Sequence, residues 1–249
     1  MTKSEFDFSG VHPVAVERVR PFFESLVAEA PGEITSLYVT GSAVTPDFNA
    51  RTSDVNSLLV LPEIELPFLD FLAKVGRQHG KRGVRAPLLM TPQYIDRSLD
   101  VFPIEFLDLQ LVSHLVMGKE VLADRVIERG NARLQCEREF KGRLVTLRQG
   151  YIRALGDRRL LRELLVSSLV GLIPLLRGLL FALGRETPRD RASIVAGLRD
   201  AAGVDPAPIN EIMRVKGEQL HPSVDALSAL FGRYYETIAK LTDAVDAAM

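Results

Sequence analysis

Gly41-Ser42 closes the apolar stretch Leu37-Tyr38-Val39-Thr40, and residues 43 to 53 separate it from Asp54-Val55-Asn56, which opens a second apolar run through Leu61. A glycine lets the backbone turn tightly against a bound phosphate, and the serine hydroxyl and nearby main-chain N–H groups can donate to its oxygens. Gly-Ser pairs end strands in many folds, so this one gains meaning only from the polar residues downstream of it. Side chains 54 and 56 share one face of an extended strand because strand side chains alternate. A further acid, Glu105, sits between Ile104 and Phe106, where a carboxylate is costly to bury unless it meets a cation. Phosphate donors and metal ligands placed side by side would serve phosphoryl chemistry.

The elements that must position these residues alternate. Val14 to Ala28 repeats apolar residues with helical spacing behind Pro13, a residue suited to a first turn. Ile34 to Val39 is short, β-rich and bounded by Pro31-Gly32 and Gly41, so it reads as a strand, and Val55 to Leu61 as a second one stopped by Pro62. Leu66 to Gln78 reads as a helix and Ala86 to Met90 as a strand; Thr91-Pro92 carries the signature of a helix cap. Phe102 to Leu109 is expected to form a last apolar strand with acids inside it.

Beyond that point the pattern becomes helical: Arg133 to Leu155, Arg158 to Leu183, Arg189 to Ala202, Ile209 to Gln219 and Val224 to Ala248, with glycines and prolines between them. The expected organisation is an α/β (α+β) domain with a mixed sheet over residues 1–125, followed by an all-α helical bundle over residues 126–249. The run from Leu164 to Leu183 is apolar nearly all round, but Pro174 and Arg177 interrupt it, so it reads as a buried bundle helix and not as a membrane span.

Lys and Arg number 31 against 32 Asp and Glu, for a formal net charge of −1, so there is no global basic field and nucleic acid is disfavoured as a partner. Cys136 is the single cysteine, which excludes a disulfide framework. Met1 to Asp7 has neither the cationic start nor the apolar core of a signal peptide. The expected compartment is the cytoplasm.

Gly41-Ser42, Asp54 and Glu105, in that order, resemble the nucleotidyltransferase superfamily, the polymerase-beta-like fold shared by aminoglycoside and minimal prokaryotic nucleotidyltransferases. Its pattern is an apolar residue, Gly, Gly or Ser, a spacer, acid-apolar-acid, and a third acid on a later strand. The motif resemblance spans about residues 34 to 110, and the helical half matches by architecture alone. It implies transfer of a nucleoside monophosphate from an NTP to a hydroxyl of a small molecule or protein, with pyrophosphate released and Mg²⁺ or Mn²⁺ as cofactor. Carried over, Gly41 and Ser42 cradle phosphates and Asp54 ligates the metal. Glu105 is then the base or second metal ligand, with Asp108 as the fallback acid, which would face the opposite side of a regular strand.

Asn56 departs from the pattern. It is isosteric with Asp but neutral, and places N–H donors where a metal would sit. Two unit charges a few ångström apart are worth on the order of 4 kcal/mol at an effective dielectric near 20, so a metal site lacking one is strongly weakened. Three alternatives are open: a slow one-metal enzyme, a substitute acid such as Asp47, or a catalytically inactive nucleotide-binding module of regulatory or toxin-antitoxin-like type. A second copy or a helical partner protein would then complete the assembly.

His12, His79, His114 and His221 are too scattered for a metal cluster. Arg214 and His221 match the spacing of the Arg-x(4–6)-His signature of HEPN ribonucleases, but Pro222 comes directly after and breaks the helix such a pair needs. Lys81-Arg82-Gly83-Val84-Arg85 is basic enough to meet a triphosphate, although charge clusters in loops are usually only solvated. Arg177, inside the apolar run, needs an acidic partner or a ligand if buried.

Overall fold

The computed structural model describes residues 6–30 and 32–248, so part of the N-terminal stretch read for a leader, and Pro31, lie outside it. The chain forms two compact units: residues up to Leu99 with Phe106–Val126, and Asp100–Glu105 with the chain from Ile127 onward.

In the first unit, helix α1 (Pro13–Glu29) opens with the His12 ring accepting from Val14 N–H, and buries Ala15, Val19, Phe22, Phe23 and Leu26 at three- and four-residue spacing. Strand β1 (Ser36–Thr40) is buried at every position. It runs antiparallel to β2 (Asn56–Val60), with Thr40 opposite Asn56. Helix α2 (Leu66–His79) then leads to β3 (Leu88–Met90), which pairs parallel to β2. Thr91 caps α3 (Pro92–Ser98) by accepting from Tyr94 N–H.

The expected strand over residues 102 to 109 is instead helix α4 (Pro103–Leu111). An apolar run this short has no decisive period. Pro103 suits a first helical turn, and the buried Gln135 side chain accepts from the otherwise unsatisfied Ile104 N–H at 3.0 Å. The last strand is β4 (Ser113–Gly118), antiparallel to β1, which completes a four-stranded mixed sheet in the order β3-β2-β1-β4. Leu37 faces Met117 while Tyr38 faces Leu115, so Val116 is the extra residue of a bulge. Leu37, Val39, Val55 and Leu59 share one core with the buried faces of α1 and α2. On the other face, the buried Tyr38 hydroxyl accepts from Val121 N–H at 2.9 Å and donates to Glu120 at 3.0 Å. Burial pushes the Tyr38 pKa well up.

His79 ends α2 in an unusual environment for an imidazole. It is 7% exposed, packs against Phe22, and neither ring nitrogen has a hydrogen-bond partner among the described residues. The helix C-terminus favours a cation there, but burial, reinforced by the Arg82 charge, wins and holds its pKa below the ordinary 6.5. Since the unfolded chain binds the proton more readily, stability is full above about pH 6.5 and declines as the pH falls toward the folded pKa. Replacing His79 with leucine removes two unsatisfied buried nitrogens and is expected to stabilise the unit by about 1 kcal/mol. Urea unfolding between about pH 5 and 8 checks both the gain and the expected loss of that slope.

The second unit is helical: α5 (Arg129–Ala154), α6 (Arg158–Ser167), α7 (Leu172–Ala182), α8 (Arg191–Ala202), α9 (Ala207–Lys216) and α10 (Val224–Ala247). The single helix expected from Arg158 to Leu183 is broken at Gly171, which takes a left-handed φ of +65°. Pro174 favours this: inside a continuous helix its ring would strike the carbonyl four residues back, a cost that α1 bears at Pro21, whereas in the first turn of α7 it costs little. Leu172, Leu175, Leu176, Leu179 and Leu180 fill the core with residues of α5, α8 and α10. No single helix among the described residues is long and apolar enough to cross a membrane; α6 and α7 together would be, but they are bent by 46°.

The buried Arg177 donates from Nε to the carbonyl of Pro188 at 3.1 Å and from a terminal nitrogen to that of Arg189 at 3.0 Å. Backbone carbonyls ahead of α8 thus receive the guanidinium. Arg214 lies in the last turn of α9 and His221 in the connection to α10, so the two do not share a helix.

Candidate functional site

Thr40 ends β1, and the chain enters a short 3-10 turn over Gly41–Val44. Gly41 has φ +72°, a left-handed conformation that favours glycine. Its N–H already donates to the Val112 carbonyl at 2.7 Å, so that donor belongs to the fold. The Ser42 carbonyl accepts from Thr45, while the Ser42 hydroxyl makes no hydrogen bond among the described residues and is left for a ligand. A Cβ on Gly41 would lie 3.5 Å from the Asn56 amide nitrogen, so turn and strand start are close neighbours. Asn56 is exposed.

Asp54 stands one residue ahead of the Val55–Val84 parallel bridge, in which Val55 N–H donates to Gly83 at 2.8 Å and Arg85 N–H donates to Val55 at 3.0 Å. That pairing carries Arg85 alongside Asp54. Arg85 Nε and a terminal nitrogen both reach Asp54 Oδ2, at 2.7 and 2.6 Å. The side chains are 68% and 38% exposed, so the pair adds no more than about 1 kcal/mol to stability. Its consequence is electrostatic: a metal ion at Asp54 Oδ2 would have to displace Arg85, and one at Oδ1 would meet its charge. From α1, Arg18 donates to the carbonyls of Ser53 and Ala50. A Cβ on Gly83 would be 3.4 Å from Arg18 and 3.6 Å from Asp54 Oδ1, so a second guanidinium lies in the neighbourhood of the carboxylate, across Gly83, without pairing with it.

Glu105 is in the first turn of α4, not on a strand. It accepts from Gln135 Nε2 at 2.8 Å while the same amide caps Ile104, an arrangement that favours an acid at a helix N-terminus. Asp108, three residues on, shares a side of this helix with Glu105 and does not oppose it as it would on a strand. Neither later strand offers a replacement, for β3 reads Leu-Leu-Met and β4 Ser-His-Leu-Val-Met-Gly. Among the described residues no group of three or more His, Cys, Asp or Glu side chains could hold a metal ion.

The structure thus brings together Gly41, Ser42 and Asn56, and gives Asp54 a cationic partner. Arg85 lies in a basic segment visible in the sequence, but nothing there shows that it reaches Asp54. Arg18 and Gln135, on the exposed or amphipathic course of long helices, carry no sequence signal. No protein-family model matches the chain, and no curated protein matches it in sequence.

Proposed function

We propose that the first unit is a nucleotide-binding module on a nucleotidyltransferase-like scaffold, which meets phosphate with its own cations and does not transfer the nucleotide. The observation that carries this reading is the Arg85–Asp54 pair. The acid that would ligate metal is neutralised by a guanidinium, and Arg18 adds a further positive charge on the other side of Gly83. At such a place a divalent cation is repelled and an anion is drawn in. Asn56 agrees with this, because its amide offers donors to a phosphate oxygen where an aspartate would repel it. The free Ser42 hydroxyl supplies another donor at the turn.

Calorimetry with ATP, GTP, CTP and UTP, with Mg²⁺ or with EDTA, tests the reading. Binding is expected to be equal in the two conditions, to weaken about fivefold in Arg85→Ala, and to release no pyrophosphate on long incubation. Asn56→Asp alone is expected to leave metal affinity unchanged, while Asn56→Asp combined with Arg85→Ala should create a Mg²⁺ site. Mg²⁺-dependent binding with pyrophosphate release by the unaltered chain would instead establish the enzyme, and failure to bind any nucleotide would remove both readings.

A further inference from the structure

Two cavities of opposite character meet at Asp54 and Gly83 in the first unit. The larger, about 780 Å³, has mainly apolar walls formed by Phe22, Leu69, Leu72, Val84 and Leu89. The smaller, about 520 Å³, is bordered by Arg18, Arg51, Lys81 and Arg82 against Glu17 and Asp54. Asp54 is already paired with Arg85, and the side chains of Arg51, Lys81 and Arg82 have no carboxylate partner among the described residues. Gly83, at φ +76°, adds no side chain to the junction, where Asp54, held by Arg85, is the side chain that borders both spaces. Their volumes fall within the range that holds small molecules.

We infer that these joined cavities form a binding site for a small amphiphilic anion, an aryl or branched alkyl group bearing a phosphate or carboxylate. The apolar body occupies the space between α2 and β3, and the anionic head crosses Gly83 to reach Lys81, Arg82 and Arg51. Burial of the apolar body supplies the favourable transfer free energy. The cations set the requirement for charge, because a neutral head would leave them unanswered and an isolated anion would forgo the apolar contact. His79 also lines the larger cavity, and a polar group of the ligand reaching its ring would give that imidazole a hydrogen bond it otherwise lacks. Gly41, Ser42 and Asn56 line neither cavity, whereas Asp54, Arg85 and Arg18 border both this site and the proposed nucleotide site. Naphthyl phosphate binding by a chain that binds no nucleotide would therefore remove the nucleotide reading and leave this one.

The probe is 1-naphthyl phosphate, titrated calorimetrically into the full chain, with 1-naphthol and inorganic phosphate as partial ligands. Saturable binding of one molecule per chain is expected, at least about tenfold tighter than either partial ligand. Gly76 lines the apolar cavity, and a Cβ there meets nothing within 4 Å. Gly76→Leu therefore fills the cavity without backbone strain and is expected to weaken naphthyl phosphate about tenfold or more. Ala73→Leu, one turn earlier on the same wall, serves if the first variant does not fold. Lys81→Ala combined with Arg82→Ala should weaken naphthyl phosphate at least about fivefold and lower its salt dependence, leaving 1-naphthol unaffected. Unchanged affinity in a folded cavity-filling variant, or in the charge variant, would overturn the proposal. So would 1-naphthol or inorganic phosphate binding as tightly as their ester.

Discussion

Gly118→Ala is expected to leave the first unit unfolded at room temperature. Gly118 ends β4 with φ +96°, and a Cβ there would lie 2.1 Å from the Thr35 carbonyl oxygen and 2.9 Å from Ser36 Cα. Both obstacles are backbone of the chain entering the central strand, so no rotamer change relieves them. The surroundings hold them firmly: Lys119 N–H donates to Thr35 at 3.2 Å, and the Ser36 hydroxyl donates back to the Lys119 carbonyl at 2.5 Å. Moving Ser36 would drag β1 against both β2 and β4, its partners on either side. Strain at a positive φ and a backbone clash that no side-chain movement relieves together cost on the order of 5 kcal/mol or more, comparable with the whole stability of a modest domain. Circular dichroism on urea titration should show the first unit's share of the transition missing. Gly130→Ala, where a Cβ meets nothing within 4 Å, is the matched control and should be neutral or slightly stabilising. A melting temperature for Gly118→Ala within a few degrees of the parent would contradict the expected clash.

The second large effect belongs to the helical unit. Arg177→Ala removes a side chain that is 3% exposed and satisfies the carbonyls of Pro188 and Arg189. Two part-buried carbonyls left without this donor, plus the space left by the buried side chain, cost about 3 kcal/mol together. The effect should not be one of charge alone. Arg177→Lys keeps the charge but loses the planar fork that serves two carbonyls at once, so it should recover less than half of the loss. The chain has no Trp, so far-ultraviolet dichroism is the suitable probe of its unfolding. Equal stability of the arginine, lysine and alanine forms would show that the connection ahead of α8 is held by other groups.

The residues of the candidate site differ in how far they depend on long-range structure. Gly41, Ser42 and Asn56 are legible in the sequence, because a turn after an apolar run and the start of a strand are local properties, whereas Asp54, expected on the strand with Asn56, lies ahead of it. The helices α1, α2 and α3 are legible for the same reason, with apolar spacing and the Thr91-Pro92 cap close at hand. The stretch around Glu105 is not. Its apolar residues satisfy a strand and a buried helix equally well, and the helix is settled by Gln135, a residue thirty positions away, which caps Ile104 and holds Glu105. β4 then takes its place beside β1 by a bulged antiparallel register that no neighbouring residue announces.

Local pattern alone is enough for the alternation of helix and strand as far as α3, the helical second half, the Gly-Ser turn and the neutral Asn56. Those depend on periodicity, side-chain chemistry and the backbone restrictions of glycine and proline, all of which act over a few residues. What Asp54 meets is settled by the folded chain. A parallel bridge between Val55 and Val84 sets Arg85 beside it, and α1 brings Arg18 to the carbonyl of the preceding Ser53. The sign of the field at the strand start is a sum over charges far apart in the chain, so residue order names the carboxylate but not the cations that surround it.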